Sequence, residues 1–165
     1  MFWGSIFKPN RKRESVPVRI EELMVKKVVT VKASEKVIDA VKLMNKHEIG
    51  CLVVVNDGKA VGILTERDML KRVLAKSKDP KKIKVEQVMS VPLVTIKPQS
   101  KIEDSARLMF KMEIKKLPVV EDGQLLGLVT LTDLVRFQPD LIDTLKKFGI
   151  LIPRRMKKVV DYYVV

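Results

Sequence analysis

Residues 20–70 align with residues 85–135 at a constant offset of 65 without an insertion, and 20 of the 51 paired positions are identical. Chance pairing at ordinary residue frequencies gives about 3. Met24 falls on Met89, Thr30 on Thr95, Leu43-Met44 on Leu108-Met109, Glu48-Ile49 on Glu113-Ile114, and Asp57-Gly58 on Asp122-Gly123. Gly62, Thr65 and Asp68 fall on Gly127, Thr130 and Asp133. A fixed period means that one supersecondary unit is built twice, so any fold must accommodate two copies. With 165 residues, the chain forms one compact domain or two small units sharing a core.

Each copy reads locally as strand, helix, hairpin and helix. Val28–Val31 and Leu93–Ile96 are short β-branched or apolar runs, as expected of an opening strand. In the first copy Val37, Ala40, Val41 and Met44 then form one apolar stripe at helical spacing, and Ile102, Ala106 and Met109 repeat it in the second. Ser34 and Ser100 are placed to cap these helices. Leu52–Val55 and Ala60–Leu64 flank Asp57-Gly58, a strong hairpin signal that recurs at Asp122-Gly123. A second helix is expected to begin just after Thr65 and Thr130. The fold class is therefore α/β, with two β-α-β-β-α repeats.

Hydrophobic residues make up 46% of the chain, enough to supply a core. The longest apolar runs, such as Cys51–Val55, fall far short of the roughly 20 residues that span a bilayer. The N-terminus places Phe2, Trp3 and Phe7 before Arg11–Arg13, the reverse of a secretory signal, so a cytoplasmic protein is expected. One cysteine and one histidine cannot furnish a thiolate–imidazole metal cluster, and no internal disulfide can form. His47 reads as a surface or cap residue and Cys51 as a small hydrophobe opening a buried strand. Neither has a visible partner for nucleophilic catalysis, and no Walker or Gly-x-Gly-x-x-Gly loop is present, so no enzyme is expected. High Lys and Glu with few Asn and Gln lean toward a thermophilic composition.

The chemistry concentrates where the third strand of each unit turns into its second helix. The first-turn N–H groups after Thr65 and Thr130 favour a phosphate or another acceptor. Asp68 and Asp133, three residues on, can accept from vicinal ribose hydroxyls, as acidic residues do in other nucleotide folds. The same Thr-x-x-Asp spacing also reads as a capping box that serves only the helix's own N–H groups.

This order of elements resembles the cystathionine-β-synthase (CBS) domain, a module that normally occurs in tandem pairs. Carrying the resemblance are Glu-Leu-Met-Val and Glu-Gln-Val-Met before the first strands, and Ile-Gly-Cys-Leu-Val-Val-Val and Ile-Lys-Lys-Leu-Pro-Val-Val in the central strands. Gly-Ile-Leu-Thr-Glu-Arg-Asp and Gly-Leu-Val-Thr-Leu-Thr-Asp close the hairpins. The resemblance covers about residues 16–137. It divides the chain into an arm (1–15), a first repeat (16–75), a linker (76–84), a second repeat (85–137), and a C-terminal helix and basic tail (138–165).

The resemblance implies two clefts about a pseudo-twofold axis, each taking a ribose-binding Asp and its hydroxyl neighbour from one repeat and adenine-facing backbone from the other. One would combine Thr130 and Asp133 with Val28, Val29, Ile49 and Gly50; its mate, Thr65 and Asp68 with Val94, Ile114 and Lys115. Lys115 and Lys116 fall where some adenylate-binding members carry phosphate contacts, although they also read as a solvated strand edge. On account of these lysines the Asp133 cleft is expected to prefer anionic phosphates, and the Asp68 cleft to be weaker or suited to a less anionic ligand. The implied ligand is AMP, ADP, ATP or S-adenosylmethionine. The implied function is regulatory, in a homodimer acting on a protein partner in trans.

The net charge is +13, and residues 1–20, 71–84 and 146–158 carry +4, +6 and +6, leaving −3 for the remainder. The basic character thus belongs to the flanks and linker. Nucleic acid, held through residues 8–13, 71–84 and 146–158, is the alternative partner. Against it stand an aromatic content of only 5% and the lack of a recognition-helix pattern. An anionic membrane surface meeting Phe2, Trp3, Ile6 and Phe7 is a third reading, weakened by Gly4 and Pro9. Equally, those aromatics could pack on the Val159-Val160 and Tyr162–Val165 tail.

Overall fold

The computed structural model describes residues 17–156. The aromatic and basic arm at Phe2–Arg13 and the tail at Val159–Val165 lie outside the described residues, as do the readings placed on them.

In the first unit β1 (Thr30–Lys32) pairs in parallel with β2 (Cys51–Asn56), which pairs antiparallel with β3 (Lys59–Thr65). The helix α1 (Val37–His47) makes the crossover between the parallel strands. In the second unit α3 (Ile102–Met112) precedes the hairpin of β4 (Lys116–Glu121) and β5 (Gln124–Thr130). Both hairpins turn on Asp-Gly with positive φ at both residues, 48° and 76° in the first and 49° and 80° in the second, as a two-residue primed turn requires. Both carry an irregularity at the same place, between Val54 and Val55 and between Val119 and Val120. The α/β class is as the sequence indicated, and the first unit follows the β-α-β-β-α order in full.

Two local expectations change. The opening run Leu93–Ile96 forms no strand, only a single parallel bridge from Ile96 to Val119. Proline explains the loss. The Ala33 N–H bonds the Val55 carbonyl in the first unit at 3.0 Å, but its counterpart at offset 65 is Pro98, which has no N–H, and Val53 is matched by Pro118. Ser34 and Ser100 do not cap their helices: Lys36 and Lys101 hold the N-cap positions without a side-chain bond. Linker carbonyls cap α1 instead, Ile83 accepting from Val37 N–H and Pro80 from Ile38 N–H, each at 3.0 Å.

After β3 the chain stays helical through Lys76, as α2 (Glu66–Asp68), a wider turn over Met69–Val73 and a tighter one over Leu74–Lys76. After β5 come α4 (Leu131–Phe137) and α5 (Leu141–Lys147). The units exchange their leaders. The 3-10 turn at Ile20–Glu22 precedes the first unit yet packs in the core of the second, where Ile20 is fully buried. The turn at Val85–Gln87 precedes the second unit yet buries Val85 and Val88 in the core of the first. Backbone bonds fix both crossings: Ile20 N–H to Ser100 O at 3.0 Å, and Val85 N–H to Glu35 O at 2.9 Å. The exchange carries Val25 onto Leu128 and Ser90 onto Ile63, along the third strand of the opposite unit.

Candidate functional site

Thr65 ends β3 in an extended conformation and α2 starts at the next residue, so the Thr65 hydroxyl and the Asp68 carboxylate face each other across one turn. Asp68 Oδ2 accepts from Thr65 N–H at 2.8 Å and from Thr65 Oγ1 at 2.7 Å, while Asp68 N–H donates to Thr65 Oγ1 at 3.3 Å. Thr130 and Asp133 repeat this geometry at 2.9, 2.6 and 3.2 Å. Both Thr-x-x-Asp motifs are therefore complete capping boxes.

This changes the expected anion chemistry. Of the first-turn N–H groups, Glu66 N–H bonds Gly50 O at 3.2 Å and Leu131 N–H bonds Lys115 O at 2.9 Å, while the Asp68 and Asp133 N–H groups are held by the threonine hydroxyls. A phosphate here would have to be met mainly by side chains, not by the helix start.

Around Asp68 the first unit contributes Gly50, Glu66, Arg67, Lys71 and Arg72, and the second unit with its leader contributes Ser90, Val94, Glu113, Ile114, Lys115 and Lys116. They line a cleft of about 580 Å³ between the units. Thr65, Asp68, Val94, Ile114 and Lys115, which the sequence grouped as one cleft, do come together. Lys115 and Lys116 lie here as well, which corrects the expectation that they would make the Asp133 cleft the anionic one. The start of β4 faces the helix of the opposite repeat, so the lysines of the second repeat line the cleft of the first repeat's Asp. Gly50, grouped with Asp133 from the sequence, also lines the Asp68 cleft, and a Cβ on it would lie 2.8 Å from Glu66 Oε2. Val29 and Ile49 pack against the first core, and Val28 is half-buried.

The sequence reading missed two residues on the carboxylate itself. Asp68 Oδ1 accepts from Ser90 Oγ at 3.0 Å and lies 3.4 Å from Arg72 Nη1. Arg72 also donates to the Val88 carbonyl at 2.8 Å and to that of Met89. Their counterparts at offset 65 are Val25 and Phe137, which can make neither contact. That pair of mismatches was the available signal.

Cys51 and Lys116, counterparts at the same offset, meet between the units. Burial pushes the Cys51 thiol above its ordinary pKa, and the neighbouring Lys116 ammonium opposes the shift in part. Among the described residues no group of three or more His, Cys, Asp or Glu could hold a metal, and no helix is long and apolar enough to cross a membrane. His47 is exposed in the last turn of α1. Within the basic segment 71–84, Lys71 and Arg72 line the cleft.

The profile of the CBS domain matches residues 20–75 and again residues 85–140. The chain belongs to the CBS-domain family. The CBS pair is 36% identical to the CBS domain-containing protein YhcV of Bacillus subtilis over 115 residues, which cover 70% of this chain and 81% of that protein. Its fold matches that of the CBS domain protein TA0289 of Thermoplasma acidophilum, of unknown function, with a TM-score of 0.71 at 33% identity over 83% of this chain and 79% of the other. It also matches the CBS domain pair of protein MJ0100, solved in complex with 5′-methylthioadenosine and S-adenosyl-L-methionine, with a TM-score of 0.67 at 30% identity over 74% and 96% of the two chains.

Proposed function

We propose that this CBS pair is a regulatory module that binds an adenine nucleotide in the Asp68 cleft and reports its occupancy to a partner protein. The observation that carries the reading is the cleft itself, where a buried carboxylate from one repeat shares the lining with Val94, Ile114 and two lysines from the other. The adenosyl ligands of MJ0100, a relative of the same fold, support the ligand class. Within that class, charge favours phosphorylated members. Arg67, Lys71, Arg72, Lys115 and Lys116 outnumber Glu66, Asp68 and Glu113, so AMP, ADP or ATP suits the lining better than the cationic sulfonium of S-adenosylmethionine. Regulation would follow from population shift, because a ligand bridging the two repeats favours the geometry it bridges. The reading includes a homodimer, which sedimentation of the free and liganded protein tests.

Isothermal titration with AMP, ATP and S-adenosylmethionine tests the ligand class. AMP or ATP is expected to bind saturably to the wild type and at least about tenfold more weakly to Asp68→Ala, as follows from losing charge-assisted bonds to the ribose. Binding unaffected by Asp68→Ala but lost on Asp133→Ala would move the site to the other cleft. Failure of every adenosyl ligand at millimolar concentration would defeat the reading and favour the basic flanks as a nucleic-acid surface, whose affinity should decline steeply with salt.

A further inference from the structure

This inference rests on the regulatory reading above and concerns the surface through which the module meets its partner. The helical stretch Glu66–Lys76 is a wall shared by two sites. One of its faces gives Asp68, Lys71 and Arg72 to the cleft between the units, and the other gives Met69, Leu70 and Leu74 to an apolar groove against α1. Glu66 lines both. The groove measures about 630 Å³ and is open, with Leu70 60% exposed and Val41, on α1, exposed as well. A contiguous exposed apolar surface of this kind marks a place where something docks.

The second unit shows what fits such a face. At offset 65 Leu70 and Val41 correspond to Val135 and Ala106, and both of those are fully buried. The difference is α5, which packs Leu141, Ile142 and Leu145 against α3 and α4. A short amphipathic helix with apolar residues at i, i+1 and i+4 therefore covers this face of the repeat. Charge narrows the choice further. The only ionisable residues lining the groove are Glu48 and Glu66, both exposed, and the last turn of α5 carries Lys146 and Lys147. A helix of the α5 pattern thus brings cations to a groove whose own charges are acidic.

We propose that the groove between α1 and the Glu66–Lys76 stretch is the docking site for a short amphipathic helix of the regulated protein, apolar at i, i+1 and i+4 and carrying Lys or Arg in its last turn, and that a ligand in the Asp68 cleft sets the affinity for that helix. The coupling is short-range. A ligand that fixes Asp68, Lys71 or Arg72 acts on the same turns that present Leu70 and Leu74, so both sites bias one element.

A fluorescein-labelled, helix-stabilised peptide of residues 138–149 is the probe, titrated with the full-length protein and followed by anisotropy. Saturable binding is expected, weakened about tenfold or more by the double substitution Leu70→Ser and Leu74→Ala at exposed positions. Glu48→Lys should lower the affinity for this peptide and raise it for one carrying Lys146→Glu and Lys147→Glu; it carries the test should the double variant not fold. Saturating AMP should change the peptide's affinity by about fivefold or more, and the peptide should change that of AMP by the same factor. No binding of the peptide, or binding indifferent to these substitutions, overturns the docking site and leaves the adenosyl reading intact. An affinity for the peptide that stays the same when AMP is bound overturns the coupling. If no adenosyl ligand binds, the adenosyl reading and the coupling both fail, while docking measured without AMP is decided separately. Self-association abolished by the double substitution, with no binding of the peptide, assigns the groove to a second copy and overturns the partner helix.

Discussion

Gly127 shows how tightly the exchanged leaders sit on the opposite sheet. A Cβ built there would lie 3.0 Å from the Val25 carbonyl oxygen and closer still to Met24 Sδ. Gly62 makes the same approach to the other leader, 3.2 Å from the Ser90 carbonyl oxygen and 2.7 Å from Met89 Sδ. A methionine can swing aside, but a carbonyl fixed in a strand-like pairing cannot. Gly127→Ala is therefore expected to destabilise the protein by about 1–3 kcal/mol, read as a lower urea midpoint. The spacing of Gly62 and Gly127 was plain in the repeat, but its reason was not, because the atoms that exclude a methyl group lie 102 and 103 residues away for Gly127 and 27 and 28 for Gly62.

At the level of elements, α5 sets the two repeats apart. It packs Leu141, Ile142 and Leu145, all fully buried, against α3 and α4, and Phe148 beyond its end lies 5.7 Å from the Arg107 guanidinium of α3. The first repeat has no corresponding helix among the described residues. Its α1 and the helical stretch after β3 leave an apolar groove in which Val41, Leu70 and Leu74 are exposed, the last two to 60% and 66%. Val41, read from the sequence as part of the apolar stripe, thus lies at the groove's open edge. Leu145→Ala should cost about 2–5 kcal/mol in a urea titration of the full chain, whereas Leu74→Ala should stay within about 0.5 kcal/mol. Helix stripes show which residues are apolar. They do not show which stripe receives a covering helix.

Across the whole molecule the leader exchange makes each core depend on both halves of the chain. Ile20 is numbered with the first repeat but is fully buried in the core of the second. Ile20→Ala should destabilise by about 2–5 kcal/mol, and hydrogen exchange should place the first loss of amide protection in β4 and β5, not in β2 and β3. The opposite order would mean that the crossing is not the one described. The exchange also delivers Ser90, from the second leader, to the Asp68 carboxylate of the first repeat. The surroundings of Asp68 and Asp133 therefore differ although the hairpin and capping box of the two repeats share one backbone plan.

The sequence by itself determined what is decided within a few residues: the offset of 65, the Asp-Gly hairpins that need positive φ, the spacing of the helix stripes, and the Thr-x-x-Asp pairs that close one turn on themselves. Only the tertiary structure decided which leader enters which core, that Lys116 joins Lys115 in the cleft of Asp68, and that Ser90 and Arg72 lie on its carboxylate. The physical reason is range. A turn or a cap is set by bonds along one short stretch of backbone, whereas the site is made where two similar units pack across a pseudo-twofold axis, and the repeat pattern looks the same whichever way the segments cross.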